Sequence, residues 1–342
     1  MLIKKFLHRY FVQAMGAMAM GLFASLIIGV ILKQLFTLCG IESYALCQAL
    51  LSVTDARSPV VGAAIGAAVG FGLKSRPLAL YAAAVLGALG YSVQVDSIAA
   101  GPVGAFVASL AGAEIGNFVS GKTRLDILLV PGLSLLGGAG VAILVGPPVA
   151  AFMAAAGELV NQMTMLHPLP MGITVSALMG LALTAPISSA ALAIMLGLSG
   201  LAGGAATAGC CAHMVAFAVA SYRENRLGGL LAQGLGTSML QIGNIVQHPQ
   251  ILMPAICASL ITGPLATVVF QMENIPAGSG MGTSGLVGIL TTFSAMSSLP
   301  FAQVLACSVF LYVLLPALIA ALSAAFMRKK GWIKDGHMKL EL

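Results

Sequence analysis

Only 8% of this chain is charged, while 59% is hydrophobic. A soluble domain carries about a quarter of its residues as charges, and no water-facing surface can be built from so few. The solvent for most of the surface must therefore be lipid, where every backbone group has to be satisfied internally. This predicts an all-α polytopic membrane protein. The 41 glycines agree, since small residues let helices approach closely in lipid.

Apolar runs of about 17 to 25 residues read as spans. They fall at 11–32, 60–73, 78–91, 102–119, 127–145, 150–165, 171–198, 203–222, 251–270 and 302–327, with a short interfacial piece at 43–53. The N-terminal run is too long for a signal-peptide core and reads as the first span. Pro147 and Pro148 are expected to end the fifth. The seventh is a broken helix, interrupted at 184–189 (TAPISS). Basic residues lie in clusters: Lys4, Lys5 and Arg9; Lys74 and Arg76; Lys122 and Arg124; Arg223 and Arg226; Arg328, Lys329 and Lys330. All five fall on one side only if segments 228–246 and 283–296 enter and return on the same side. The expectation is about ten transmembrane helices plus two re-entrant segments, with both termini cytoplasmic in a bacterial inner membrane.

Those two segments share a motif. Gly234 to Ser238 reads GLGTS, Gly280 to Ser284 reads GMGTS, and Glu-Asn pairs precede both, at Glu224-Asn225 and Glu273-Asn274. Irregular backbone at membrane depth is tolerated where protein buries it or a wet cavity adjoins it. Discontinuous helices there present polar groups to substrate. Thr237, Ser238, Thr283 and Ser284 are thus candidate solute contacts, or else helix caps beside a tight crossing. Gln241 and Asn244 follow at helical spacing. In TAPISS, Thr184, Ser188 and Ser189 can satisfy groups freed by Pro186, or can meet a ligand. Glu224 reads as a solvated loop residue.

Ionisable groups inside spans are functional candidates by default. Glu158 and His167 are candidate solute contacts, Glu114 and Glu158 candidate carriers of a coupling ion, and His213 a further intramembrane group. The six cysteines show no metal-ligand spacing, and no nucleotide-binding, zinc-protease or Ser/His/Asp pattern occurs. No cofactor or metal is expected, and catalysis by this chain alone has no sequence basis. The net charge of +6 sits in loops, not in a stripe for nucleic acid.

The stretch LHPLPMGITVSALMGLALTAPISSAALAI, followed by SYREN, GLGTSMLQ, an N-x-x-x-x-P spacing and GMGTSGLVG, resembles the PfoR-type group of permease-like membrane proteins. That group is classed as a second type of phosphotransferase-system EIIC domain, and some members are linked to regulation of toxin expression. The resemblance is close over 166–288. It implies a single permease domain over 1–342, with no fused EIIA or EIIB, working as a homodimer. It implies that a sugar or similar polar solute is bound within the membrane and moved by displacing a transport domain against a scaffold. A separate EIIB protein then phosphorylates the sugar. The best-known EIIC proteins carry G-I-T-E-P where residues 172–176 read G-I-T-V-S, so their glutamate has no counterpart here. Two alternatives stay open: an H⁺- or Na⁺-coupled transporter of a small anion, and a membrane sensor that binds solute without transport.

Overall fold

The structure, a computed structural model, describes residues 8–55, 57–95 and 98–340. Lys4 and Lys5 lie outside them. The fold is all-α and polytopic, with a two-residue antiparallel pair, Gln94–Val95 with Ile98–Ala99, as its sheet content among the described residues. Among the described residues, six helices are long and apolar enough to cross a membrane, with shorter apolar helices between them. The chain divides into two compact units, Met1–Ala155 and Ala156–Leu342.

In the first unit, α1 (8–39) is continuous across two π-turns. It is followed by α2 (Ala45–Thr54), α3 (Pro59–Gly72), α4 (Pro77–Ser92), α5 (Gly101–Val119) and the start of α6 (Asp126–Thr164). Glycine explains the packing of α3, α4 and α5. Gly62, Gly66 and Gly70 repeat every fourth residue on one face of α3. A methyl carbon at Gly66 would stand 2.2 Å from the carbonyl oxygen of Ala83, and one at Gly62 2.5 Å from that of Gly87. Gly90 and Gly104 meet in the same way across α4 and α5, at 2.3 Å. These helices therefore pack backbone against backbone, where van der Waals contact is densest. The short α2 is largely exposed, as an interfacial piece would be.

Two expected spans merge. The helix α6 runs unbroken for 39 residues with Pro131, Pro147 and Pro148 inside it. Proline removes its own N–H from the ladder and crowds the carbonyl four residues back, though its fixed φ suits a helix. In lipid, unwinding neighbouring turns would free more backbone groups than the prolines do. The count of ten spans is accordingly not reproduced.

The second unit is built around α9 (Gly200–Ala220), a candidate span buried almost throughout. Beside it lie α7 (Pro168–Thr184), α12 (Pro249–Val269) and α15 (Phe301–Lys329). A methyl at Gly209 of α9 would meet the Ser176 carbonyl oxygen at 1.9 Å, and one at Gly263 of α12 the Gly172 oxygen at 2.1 Å. Ser176 lies against Gly209, and Gly180 against both Gly209 and His213, so α7 and α9 run in the same direction. The intervening chain must therefore double back. TAPISS is not a kink within one crossing helix, as expected from sequence. There α7 ends, and α8 (Ser189–Met195) returns toward the start of α9. Thr184 still bonds the Gly180 carbonyl (3.0 Å), while Ala185 turns extended ahead of Pro186. The residue before a proline is pushed out of the helical region.

Both G-x-G-T-S segments reverse within this unit. The first hairpin runs through α10 (Tyr222–Leu231), a π-turn (Ala232–Gly236), a 3₁₀ turn (Ser238–Gln241) and α11 (Ile242–Gln247). It leaves the C-terminal end of α9 and comes back to it. The second runs through α13 (Pro276–Ser279) and α14 (Val287–Ala295) from the opposite end, where Ser279 bonds the Leu198 carbonyl (2.8 Å). Every Lys and Arg of this unit is among Arg223, Arg226, Arg328, Lys329, Lys330, Lys334 and Lys339. All of them accompany the C-terminal ends of α9 and α15 or the first hairpin. This is the basic end of the unit.

Candidate functional site

The two hairpin tips meet midway along α9. Thr283 of the second tip donates its hydroxyl to the Gly234 carbonyl of the first, and its Oγ1 lies 3.4 Å from the sulfur of Met214. Gly282 makes this approach possible. Its φ is +56°, and a methyl there would stand 2.8 Å from the Cys210 backbone. Only glycine takes up that backbone conformation against that neighbour without strain.

The end of α7 enters the same place. Thr184 Oγ1 lies 2.9 Å from His213 Nδ1 and 2.9 Å from Ser238 Oγ. Ser189, at the start of α8, donates to the Gly280 carbonyl at 2.7 Å. The three hydroxyl-bearing breaks read from sequence therefore converge on one helix. Thr184, Ser189, Ser238, Thr283 and Ser284 are all buried, as is His213. Among the described residues, His213 Nε2 and Ser284 Oγ are buried without a hydrogen-bond partner. Such an atom is costly, but Ser134 Oγ, Ser308 Oγ and the Tyr312 hydroxyl share the condition elsewhere, so it is the gathering of hydroxyls around these two that singles out the cluster. The His213 ring packs against Gly180, where a methyl would sit 2.4 Å from Cδ2 and 2.8 Å from Nε2. No group in this cluster carries a fixed charge.

Other candidates have different roles. Thr237 is extended, and its hydroxyl accepts from Met239 N (3.2 Å), capping the 3₁₀ turn. Gln241 and Asn244 form a separate ladder. Gln233 Nε2 donates to Ser221 Oγ (2.8 Å), Gln241 to Gln233 (2.9 Å) and Asn244 to Gln241 (2.7 Å). Ser188 is half-buried in the α7–α8 turn. Glu158 is exposed on α6, with Gln162 at 3.5 Å. His167 is exposed at the start of α7, about 25 Å along the helix from Thr184 at 1.5 Å per residue. Glu114 belongs to the first unit and is paired with Arg9 at 2.7 Å.

Glu224 is not a solvated loop residue. Its side chain is 7% exposed and bonded to Arg328 at 3.1 Å. The Glu-Asn echo has a structural meaning that sequence could not supply. Asn274 fastens the base of the second hairpin, donating to Thr207 Oγ1 (2.7 Å) and the Gly288 carbonyl (2.8 Å). Asn225 fastens the base of the first, donating to the Met338 carbonyl at 2.7 Å. Sequence reading did not include His213 among the solute contacts, nor Gln233 at all. A lone histidine in an apolar helix gives no hint of which hydroxyl it will meet.

The family described as "Phosphotransferase system, EIIC" matches residues 12–340. The chain belongs to that family. Neither the curated proteins nor the solved structures contain a match to it. As an EIIC-type chain, it is a multi-pass membrane permease of the phosphotransferase-system class, and its second unit holds the two irregular, hydroxyl-bearing hairpins.

Proposed function

We propose that this EIIC-type chain acts as one permease domain that binds a neutral, hydroxyl-rich solute, a sugar or sugar alcohol, at the cluster of Thr184, His213, Ser238, Thr283 and Ser284. The observation that carries this is the meeting of two hairpins, from opposite ends of α9, over buried polar atoms left without partners. Neutral donors and acceptors suit a solute that is itself neutral, because hydrogen bonds strengthen where the dielectric is low. An anion would want a cation nearby, and the basic residues of this unit lie at its end. The gathering of those residues favours a cytoplasmic basic end. A separate EIIB protein would meet the solute there. The ion-coupled reading draws less support, since Glu158 is exposed and Glu114 is paired with Arg9.

The test is a thermal-shift screen of purified protein against neutral sugars, sugar alcohols and small organic anions. A ligand at 100 times its Kd stabilises the bound form by about 2.7 kcal/mol. Ser284→Ala then decides the site. Its hydroxyl makes no bond within the described chain, so stability should hold or rise while affinity for the screened sugar falls at least tenfold. Unchanged affinity removes the site. Stabilisation by anions alone would favour the ion-coupled transporter.

A further inference from the structure

Beyond α15 the chain has no regular structure of its own, yet it is held along its length. Gly331, at φ +74°, turns it back over the basic end of the second unit. Ile333 and Met338 are buried among Phe217, Ala220 and Ile251. Between these two anchors, Arg328 bonds Asp335 (3.0 Å), and the Gly336 N–H donates to Glu224 (3.3 Å). His337 stacks on His248 with ring centroids 3.8 Å apart.

Besides Arg328 and Gln250, which donates to the Trp332 carbonyl (3.2 Å), the side chains that hydrogen-bond this segment from elsewhere belong to the first hairpin. Asn225 makes a two-point clamp, donating to the Met338 carbonyl (2.7 Å) and accepting from the Leu340 N–H (2.8 Å). Gln241 donates to the Met338 carbonyl (3.0 Å) and Asn244 to the Lys339 carbonyl (2.9 Å). The base and the returning arm of the hairpin are thus tied to one strap of backbone. Through Gln233, the same ladder reaches Ser221 at the end of α9.

The hairpin also has places to bend. Arg226 sits at φ +52° inside α10, and Thr237 is extended between two helical turns. Both are departures from helix, and a rigid-body swing is absorbed at such positions. The strap's partners lie on either side of these two positions, Glu224 and Asn225 before them and Gln241 and Asn244 after. We propose that residues 331–340 are a releasable strap holding the first hairpin closed, and that this hairpin moves only when the strap lifts. The Asn244 bond is exposed and those of Asn225 are part-buried, so water can replace them at small net cost, whereas the Gln241 bond is buried and opens only with the strap lifted.

The experiment is hydrogen exchange on the intact protein in detergent, wild type against Asn225→Ala and, separately, Met338→Ala. The first removes the polar clamp, and the second removes an apolar anchor while leaving every side-chain bond formally available. The expected result is the same in both: exchange at 331–340 and at 232–247 accelerates together, at least tenfold, while α9 and α12 keep their rates. Acceleration confined to the strap overturns the proposal, because the hairpin is then held by its own contacts. Acceleration spreading into α9 and α12 also overturns it, because the strap is then part of one cooperative core. The readout needs no solute, so it stands or falls apart from the sugar reading.

Discussion

Replacing Thr184 by valine keeps the side-chain shape and removes one oxygen. That oxygen has three neighbours: the Gly180 carbonyl at 3.0 Å, His213 Nδ1 at 2.9 Å and Ser238 Oγ at 2.9 Å. Thr184, His213 and Ser238 are all buried. The variant would leave Ser238 without its partner and both nitrogens of the His213 ring unpaired. An orphaned buried polar group costs about 1–3 kcal/mol. Two new orphans, less the relief of no longer burying the threonine hydroxyl, give roughly 2–5 kcal/mol. Ser238→Ala is a different case. It deletes one bond, and Thr184 keeps its other two neighbours, so the loss is about 1 kcal/mol. The double variant is the decisive one. With Ser238 already removed, one of the two orphans never forms, and the combined loss should fall short of the sum by about 1 kcal/mol or more. Denaturant or thermal unfolding of the purified protein, read by intrinsic fluorescence, measures all three. Equal losses for the two single variants, or strict additivity in the double, would refute the hydroxyl relay at the foot of α7.

Three further outcomes follow from the geometry. Gly282→Ala forces a side chain into a left-handed backbone position and against Cys210. It should cost about 2 kcal/mol or more and abolish solute binding in the thermal-shift assay. His337 is held below the ordinary imidazole range by burial first and then by His248 and Lys334, with Glu224 pulling the other way and Arg328 adding to the lowering. Its folded value lies below its unfolded one, so the unfolded chain binds the proton more readily. His337's contribution to the strap is therefore full above about pH 6.5 and falls away as pH drops through its lowered folded value; exchange at 331–340 should quicken between pH 7.5 and 5.5, and His337→Phe should flatten that dependence. Glu114→Gln breaks a partly exposed ion pair worth less than about 1 kcal/mol. Solute uptake into vesicles should stay within about twofold, whereas ion coupling through Glu114 would abolish it.

Much of the polar core was legible as spelling. The recurrence of G-x-G-T-S marked the two tips because unwound backbone in lipid needs small residues and hydroxyls, and few other stretches offer both. TAPISS was found for the same reason. Its consequence was misjudged, since a proline before two serines looks identical whether the helix resumes its course or turns back. What decided the matter was the register of Ser176 and Gly180 against Gly209, a contact between helices that no single stretch encodes. The reverse happened in α6, where Pro147-Pro148 promised a break and tertiary context kept the helix whole. The candidates that failed to gather, Glu158 and His167, were chosen for their charge or titration. The cluster is mostly hydroxyls, so a search for ionisable groups reaches it only at His213.

One feature of the second unit bears on how a permease avoids leaking. Both tips rest on α9, and each fills the space beside the other, with Thr283 and Gly234 joined across the seam. Withdrawal of the first tip leaves the second seated against Cys210, and withdrawal of the second leaves Ser238 of the first on Thr184. Withdrawal of both would empty the middle of the bundle, and unfilled volume costs about 24 cal/mol per Å³. A continuous path through the unit is therefore disfavoured by packing itself. The seal needs no dedicated gate residue, because each hairpin is the stopper for the other's absence.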